Sequence, residues 1–308
     1  VNQCASSVLM IRPQHFGFNE QTAPTNAFQK LAFSDPPESG RTALAEFDLF
    51  AATLSSGGVH VLISEDRDYP RCPDAVFPNN WFTTHHDGSV VVYPMQSVNR
   101  RVEKRSDIFD WLQTEHHYSI SRFIDFSFFE KQNLFLEGTG SMVFDHSHQT
   151  VYAAVSERTH EPVVRHFCES LNYEPVFFSA FTDNARRIYH TNVLLSISDD
   201  FVLICADSIA DPEEKKRALS TLKDSGRNII LIDEYQLKNY CCNALTVINK
   251  HHEKITIMSQ TAFENLQQSQ IEIISSFSKI LAAPIPMIEN AGGGSVRCMM
   301  AEIFLPKK

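Results

Sequence analysis

Strand pairs recur along this chain at a nearly constant spacing, and that recurrence constrains the fold more than any other feature. Short apolar runs pair at 81–84 with 90–93, at 141–144 with 150–155, at 192–197 with 201–205 and at 244–249 with 254–258, and a last pair starts within 296–304. Asn80, Glu137, His190, Asn243 and Cys298 stand at the mouths of these pairs, separated by 57, 53, 53 and 55 residues on subtracting their numbers. Self-similarity at such a period predicts repeated units, each burying its faces against its neighbours. Strands at comparable intervals occur in any α/β chain. What sets this one apart is the chemistry at the mouths: a thiol, an imidazole, a carboxylate and two amides.

Helical patterns fill the intervals. Leu44, Phe47, Leu49, Phe50 and Leu54 predict an amphipathic helix over 42–54, and 161–172 and 212–223 read the same way, the latter with Asp211 as N-cap before Pro212. Residues 7–12 and 59–64 read as strands, the second after the Gly57-Gly58 stop. No Pro-, Gly- or Ser-rich linker divides the chain, which predicts one α/β domain over residues 1–308.

Composition removes several classes of function. The formal net charge is −10 and the pI about 5.7, whereas a nucleic-acid surface needs a clustered basic face. The densest basic stretch, 99–105 (NRRVEKR), is interrupted by an acid and reads as a solvated helix start. No window approaches the roughly 18 apolar residues of a membrane span, and residues 1–10 lack the basic and apolar regions of a secretory signal. Seven cysteines without regular spacing predict free thiols in a reducing compartment, hence a cytoplasmic protein. The pairs His85-His86, His116-His117 and His251-His252 fall in no Cys-x-x-Cys or His-Glu-x-x-His arrangement and read as surface or turn histidines. No metal or organic cofactor is expected.

The strongest local signal is Gly292-Gly293-Gly294-Ser295-Val296-Arg297-Cys298. Glycines let a backbone approach a ligand closely, and a cysteine directly after such a loop can project a thiolate into a cleft. The alternative is a buried structural cysteine after a turn. His190 sits at the mouth of an apolar strand, where it is either a base or a satisfied core histidine. Glu137 lies in an apolar run bounded by Gly138; buried there it must be paired or neutralised, and otherwise it is an exposed turn acid.

In order along the chain, 74–80 (DAVFPNN), Glu137-Gly138, His190 and the closing Gly-Gly-Gly-x-x-x-Cys resemble the active-site blocks of the penteins, or guanidine-modifying superfamily. These include arginine deiminases, dimethylarginine hydrolases, succinylarginine dihydrolases and amidinotransferases. The opening 10–19 (MIRPQHFGFN), with Thr22-Ala23 and 26–29 (NAFQ), is most similar to the citrulline-utilisation hydrolase branch, and the resemblance runs from about residue 7 to 305. It implies a five-bladed, pseudo-symmetric α/β propeller of ββαβ units with the site on the pseudo-fivefold axis. It implies Cys298 as nucleophile on a planar C–N carbon, His190 as general acid/base, and Glu137 and Asp74 holding the substrate nitrogens from opposite sides. Arg158 is implied to grip the substrate α-carboxylate, with a second grip from Arg100 or Arg101; for each arginine the alternative is a surface charge. Phe77 and Trp81 are either walls of the site or core residues.

Two departures bear on the substrate. Relatives acting on arginine often carry an acid six residues after the one matching Asp74, and here that position is Asn80. A guanidinium carries only donors, whereas a ureido group has a carbonyl that an amide can donate to. Gly140 stands where several relatives have an acid, which leaves the surroundings of His190 open. The expectation is a cysteine-dependent hydrolase of the ureido group of L-citrulline, giving ornithine, ammonia and carbon dioxide through a covalent thiol intermediate. Arginine or dimethylarginine deimination and amidino transfer are the alternatives. A non-catalytic pentein that keeps the propeller as a binding protein, as the ribosomal-subunit anti-association factor does, is disfavoured by Cys298, His190 and Glu137 together. The expected partner is a small amino-acid substrate, citrulline or arginine-like, with homo-oligomerisation left open.

Overall fold

The computed structural model describes residues 2–30 and 36–307. Strand β1 (Ser7–Arg12) runs parallel to β2 (His60–Glu65), with Leu9 opposite Leu62, and the helix Pro36–Ser56 crosses between them. Four units of one design follow: an antiparallel hairpin, a helix, and a third strand parallel to the hairpin's second. The first is β3 (Phe82–Thr84), β4 (Ser89–Val92), helix Ser106–Thr114 and β5 (Arg122–Asp125). The second is β6 (Val143–Asp145), β7 (Thr150–Ala154), helix Glu161–Leu171 and β8 (Glu174–Phe178). The third is β9 (Leu195–Ile197), β10 (Phe201–Ile204), helix Pro212–Asp224 and β11 (Asn228–Leu231). The fourth is β12 (Leu245–Ile248), β13 (Lys254–Ser259), helices Gln260–Asn265 and Gln268–Ser275, and β14 (Lys279–Ala283).

The last strand, β15 (Ala301–Glu302), pairs antiparallel with β1, Leu9 opposite Ala301. The sheet β15-β1-β2 therefore repeats the ββαβ design with its first strand taken from one end of the chain and the rest from the other. The result is a five-bladed, pseudo-symmetric α/β propeller. The expected last pair within 296–304 is met by a single short strand; its partner is β1.

Local chemistry explains the units. Val90, Val91 and Val92 give β4 three buried β-branched residues, and the turn before it closes at Gly88, whose φ of 83° suits glycine. Asp211 caps its helix by accepting from the backbone N–H groups of Glu213 and Glu214, with Pro212 in the first turn. The middle strands β4, β7 and β10 are buried along their whole length, while the third strands β5, β8 and β11 reach the exposed rim. Strand β1 alternates between two cores. Val8 and Met10 pack with Val247, Ile255 and Ile257 of the fourth unit, while Leu9 and Ile11 pack with Phe82, Val90 and Val92 of the first. Among the described residues no helix is long and apolar enough to cross a membrane.

Three local expectations are corrected. His85 is buried, its Nε2 2.8 Å from Thr83 Oγ1, rather than at the surface. The basic stretch forms the short helix Val98–Arg101, but Arg100 is fully buried rather than solvated. The helix read over 42–54 extends over Pro36–Ser56.

Candidate active site

Each hairpin is entered through a tight turn, and these turns carry the chemistry. Asn80 ends the 3₁₀ turn Pro78–Asn80, Glu137 precedes the one-turn helix Gly138–Ser141, and His190 precedes the 3₁₀ turn Thr191–Val193. Asn243 donates its N–H to Tyr240 O at 2.8 Å, and Cys298 donates to Ser295 O at 2.9 Å, closing the corresponding turns of the last two units. All five side chains are at most 5% exposed. Asp74, Phe77, Asn80, Arg100, Arg158, His190 and Cys298 meet around one cavity of about 20 Å³, completed by Asn26, Tyr189, Gly292 and Gly294. Phe77 is a wall: a Cβ on Gly292 would stand 2.7 Å from its ring. Trp81 is core, packed on Phe82 and Phe109.

Glu137 lies behind that cavity. Its Oε2 is 2.9 Å from His190 Nε2 and 3.6 Å from Arg158 Nη1, and its Oε1 accepts from Gln96 N at 3.1 Å. Within the chain its two oxygens are engaged by His190 and by the backbone of Gln96. Burial pushes the carboxyl up, but the charge of Arg158, the His190 bond and the charge of Arg100 outweigh it and hold the group at about 2. Burial dominates for His190, lowering it to about 4 against the pull of Glu137, with Arg158 and Arg100 adding to the fall. The imidazole is therefore neutral near pH 7. A carboxylate only accepts, so the proton sits on Nε2 and Nδ1 is left bare. Gly140 is the reason this ring fits. A Cβ there would stand 2.7 Å from His190 Nδ1 and Cε1 and 2.6 Å from Asn80 Nδ2, so a side chain at this position would displace the ring or the amide.

Arg100 has its Nε and Nη2 on the two oxygens of Glu103, at 2.9 and 2.8 Å, and its Nη1 on Asn80 Oδ1 at 2.8 Å. In this arrangement the guanidinium is held by Glu103, lies 3.6 Å from Asp74 Oδ2 and orients Asn80. Arg101 turns away, onto the carbonyls of Met95 and Gln96. Arg158 lies over the Tyr189 ring at 4.5 Å and donates to Thr22 O and Thr25 Oγ1 of the N-terminal loop. Asp74 Oδ2 accepts from Asn19 Nδ2 at 2.7 Å, while its buried Oδ1 has no partner; burial raises this carboxyl. Asn80 Nδ2 is likewise buried and unpartnered. The sequence reading missed Asn26, Tyr189 and Asn192. Asn26 lay within a string that carried the resemblance, and Asn192 follows His190 by two residues.

A five-bladed propeller with a thiol, an imidazole and a buried carboxylate converging on its axis defines a pentein. Within that superfamily the chain belongs to the N,N dimethylarginine dimethylhydrolase family, eukaryotic type, which matches residues 12–305. Its relatives are hydrolases. ArgZ, an arginine dihydrolase from the ornithine-ammonia cycle in cyanobacteria, superposes with a TM-score of 0.75 at 17% identity, over 98% of this chain and 41% of that one. The chain thus spans about two fifths of that protein. It covers 99% of the N-terminal domain of ArgZ bound to substrate, with 97% of this chain included, at a TM-score of 0.73 and 17% identity. A dimethylarginine dimethylaminohydrolase in an adduct with S-methyl-L-thiocitrulline matches at a TM-score of 0.65 and 14% identity, over 97% of this chain and 100% of that one. No curated protein matches the sequence significantly.

Proposed function

We propose that this protein hydrolyses the ureido group of L-citrulline, with residues 1–308 acting as one catalytic unit. One observation carries the reading: the two unpartnered atoms of the cavity-lining residues are an acceptor, Asp74 Oδ1, and a donor, Asn80 Nδ2. Arg100 on Asn80 Oδ1 fixes which way that amide points. A ureido group offers an N–H to the first and a carbonyl to the second, whereas a guanidinium leaves the Asn80 donor facing donors. Cys298 gives its thiol proton to His190 Nδ1, the resulting thiolate adds to the ureido carbon, and the electron pair moves to the oxygen held by Asn80. His190, now a cation stabilised by Glu137, gives that proton to the departing nitrogen, and ammonia leaves a thiocarbamate on Cys298. Water, losing a proton to His190 Nδ1, attacks that carbon and expels the thiolate. The N-carboxylated ornithine loses carbon dioxide, so citrulline and one water give ornithine, ammonia and carbon dioxide.

An arginine-type substrate is the second reading, favoured by family membership and by the arginine dihydrolase among the fold neighbours; it satisfies Asp74 but not Asn80. Ammonia and amine release from citrulline, arginine, methylated arginines and agmatine tests both. Citrulline should be preferred, and Asn80→Asp should cost about 2–4 kcal/mol in kcat/KM for citrulline while improving arginine binding. A wild type that prefers arginine removes the citrulline reading; an unchanged preference in Asn80→Asp removes Asn80 as the discriminator.

A further inference from the structure

Asn243 stands in the repeat register, one unit before Cys298, and the reaction above gives it no task. Its Nδ2 lies 3.4 Å from Cys298 Sγ, and Asn192 Nδ2 lies 3.5 Å from the same sulfur. We infer that the carboxamides of Asn243 and Asn192 form a two-donor seat for the Cys298 thiolate, a further pair of catalytic residues.

The orientation of Asn243 is set by its other contacts. Its Oδ1 accepts from Arg297 N at 3.1 Å and, at 3.9 Å, from the Cys298 thiol, while its NH₂ group is the nearer end to the sulfur and also reaches Asn192 O at 3.2 Å. Asn192 Oδ1 is buried and unpartnered, which leaves the contact to sulfur as the hydrogen bond recorded for that side chain among the described residues. Both amides are at most 1% exposed, and Cys298 is 5% exposed. Neutral donors in a water-excluded site strengthen as their acceptor gains charge. A thiolate therefore gains more from this seat than a thiol or a thioester sulfur does. The gain falls at both ends of the covalent cycle: it favours the ionised nucleophile before attack, and it favours expulsion of the thiolate when the intermediate breaks down. Through Arg297 N, Asn243 also ties the backbone ahead of Cys298 to the same amide that holds its sulfur. The inference rests on Cys298 being the nucleophile and on no particular substrate.

The test is the pH dependence of iodoacetamide alkylation of Cys298 in the full chain, read as the mass of its peptide, with circular dichroism confirming the fold. Asn192→Ala and Asn243→Ala each remove one donor and should raise the midpoint by about one pH unit. Asn243→Asp keeps an acceptor for Arg297 N but turns an anion toward the sulfur, and should raise the midpoint further. A purely structural role predicts that Asn243→Asp restores the wild-type midpoint. Folded Asn192→Ala and Asn243→Asp proteins with unshifted midpoints overturn the seat, and these two variants decide if Asn243→Ala does not fold. Alkylation of another cysteine ahead of Cys298 in the wild type overturns the nucleophile and the seat together. No substrate enters the assay, so failure of the citrulline reading leaves its outcome legible.

Discussion

Glu137 shows how single residues in this site constrain one another. A carboxylate with no exposure is unfavourable unless paired, and this one is matched by His190, Arg158 and the N–H of Gln96. Its ionised state settles the tautomer of His190, and the tautomer settles which nitrogen is free to act. Glu137→Gln tests the chain of dependence. The amide can donate to Nε2, which moves the imidazole proton to Nδ1 and removes the base. We expect kcat to fall by roughly 10³–10⁴, the scale seen when a histidine's orienting carboxylate is neutralised, with KM little changed. Steady-state kinetics on the folded variant measure it, and a wild-type kcat would mean that Nδ1 is not the working nitrogen.

At the scale of elements the recurring device is a tight turn feeding a short strand. The turn places one polar side chain on the axis, and the hairpin behind it anchors the turn in apolar core. The hairpin β3–β4 also carries a titratable group away from the cavity. His85 packs against Phe144 and Phe167, and burial lowers it from 6.5 to about 4. The folded state then binds fewer protons than the unfolded chain between those values. Its contribution is fully present above pH 6.5 and is lost as pH falls toward 4. The neutral variant His85→Gln should therefore lose stability less steeply than the wild type across that window, the gap reaching roughly 3 kcal/mol at the acid end. Urea unfolding at a series of pH values measures it; parallel curves would show that His85 is not held neutral by the fold.

At the scale of the molecule the ring is closed by β1, which packs against the first unit on one face and the fourth on the other. Closure also brings the glycine loop to the axis, since β15 follows it directly. Leu9 is fully buried at this junction, and Leu9→Ala should cost about 2–5 kcal/mol. Leu49→Ala, at a side chain 54% exposed on the crossover helix, should stay within about 0.5 kcal/mol. Denaturant midpoints compare the two, and equal losses would show that the closing strand carries no special share of the stability. The cavity of about 20 Å³ holds a water or two, not an amino acid. Asn26 and the contacts of Thr22 and Thr25 with Arg158 place the N-terminal loop beside it.

By itself the sequence determined the period, the strand pairs and the five polar side chains at their mouths. Each of these is a local pattern: alternation within a strand, a cap such as Asp211, a turn glycine such as Gly88. It also pointed to Asn80 and Gly140 as departures that matter. Only the tertiary structure decided what those departures do. That Gly140 leaves room for the His190 ring, that Arg100 turns Asn80 into a donor, and that Asn243 faces Cys298 are contacts between residues 20 to 55 positions apart. No local pattern encodes such contacts. The pairing of β15 with β1 is the extreme case. The two strands lie at opposite ends of the chain, and only the fivefold closure of the sheets brings them together.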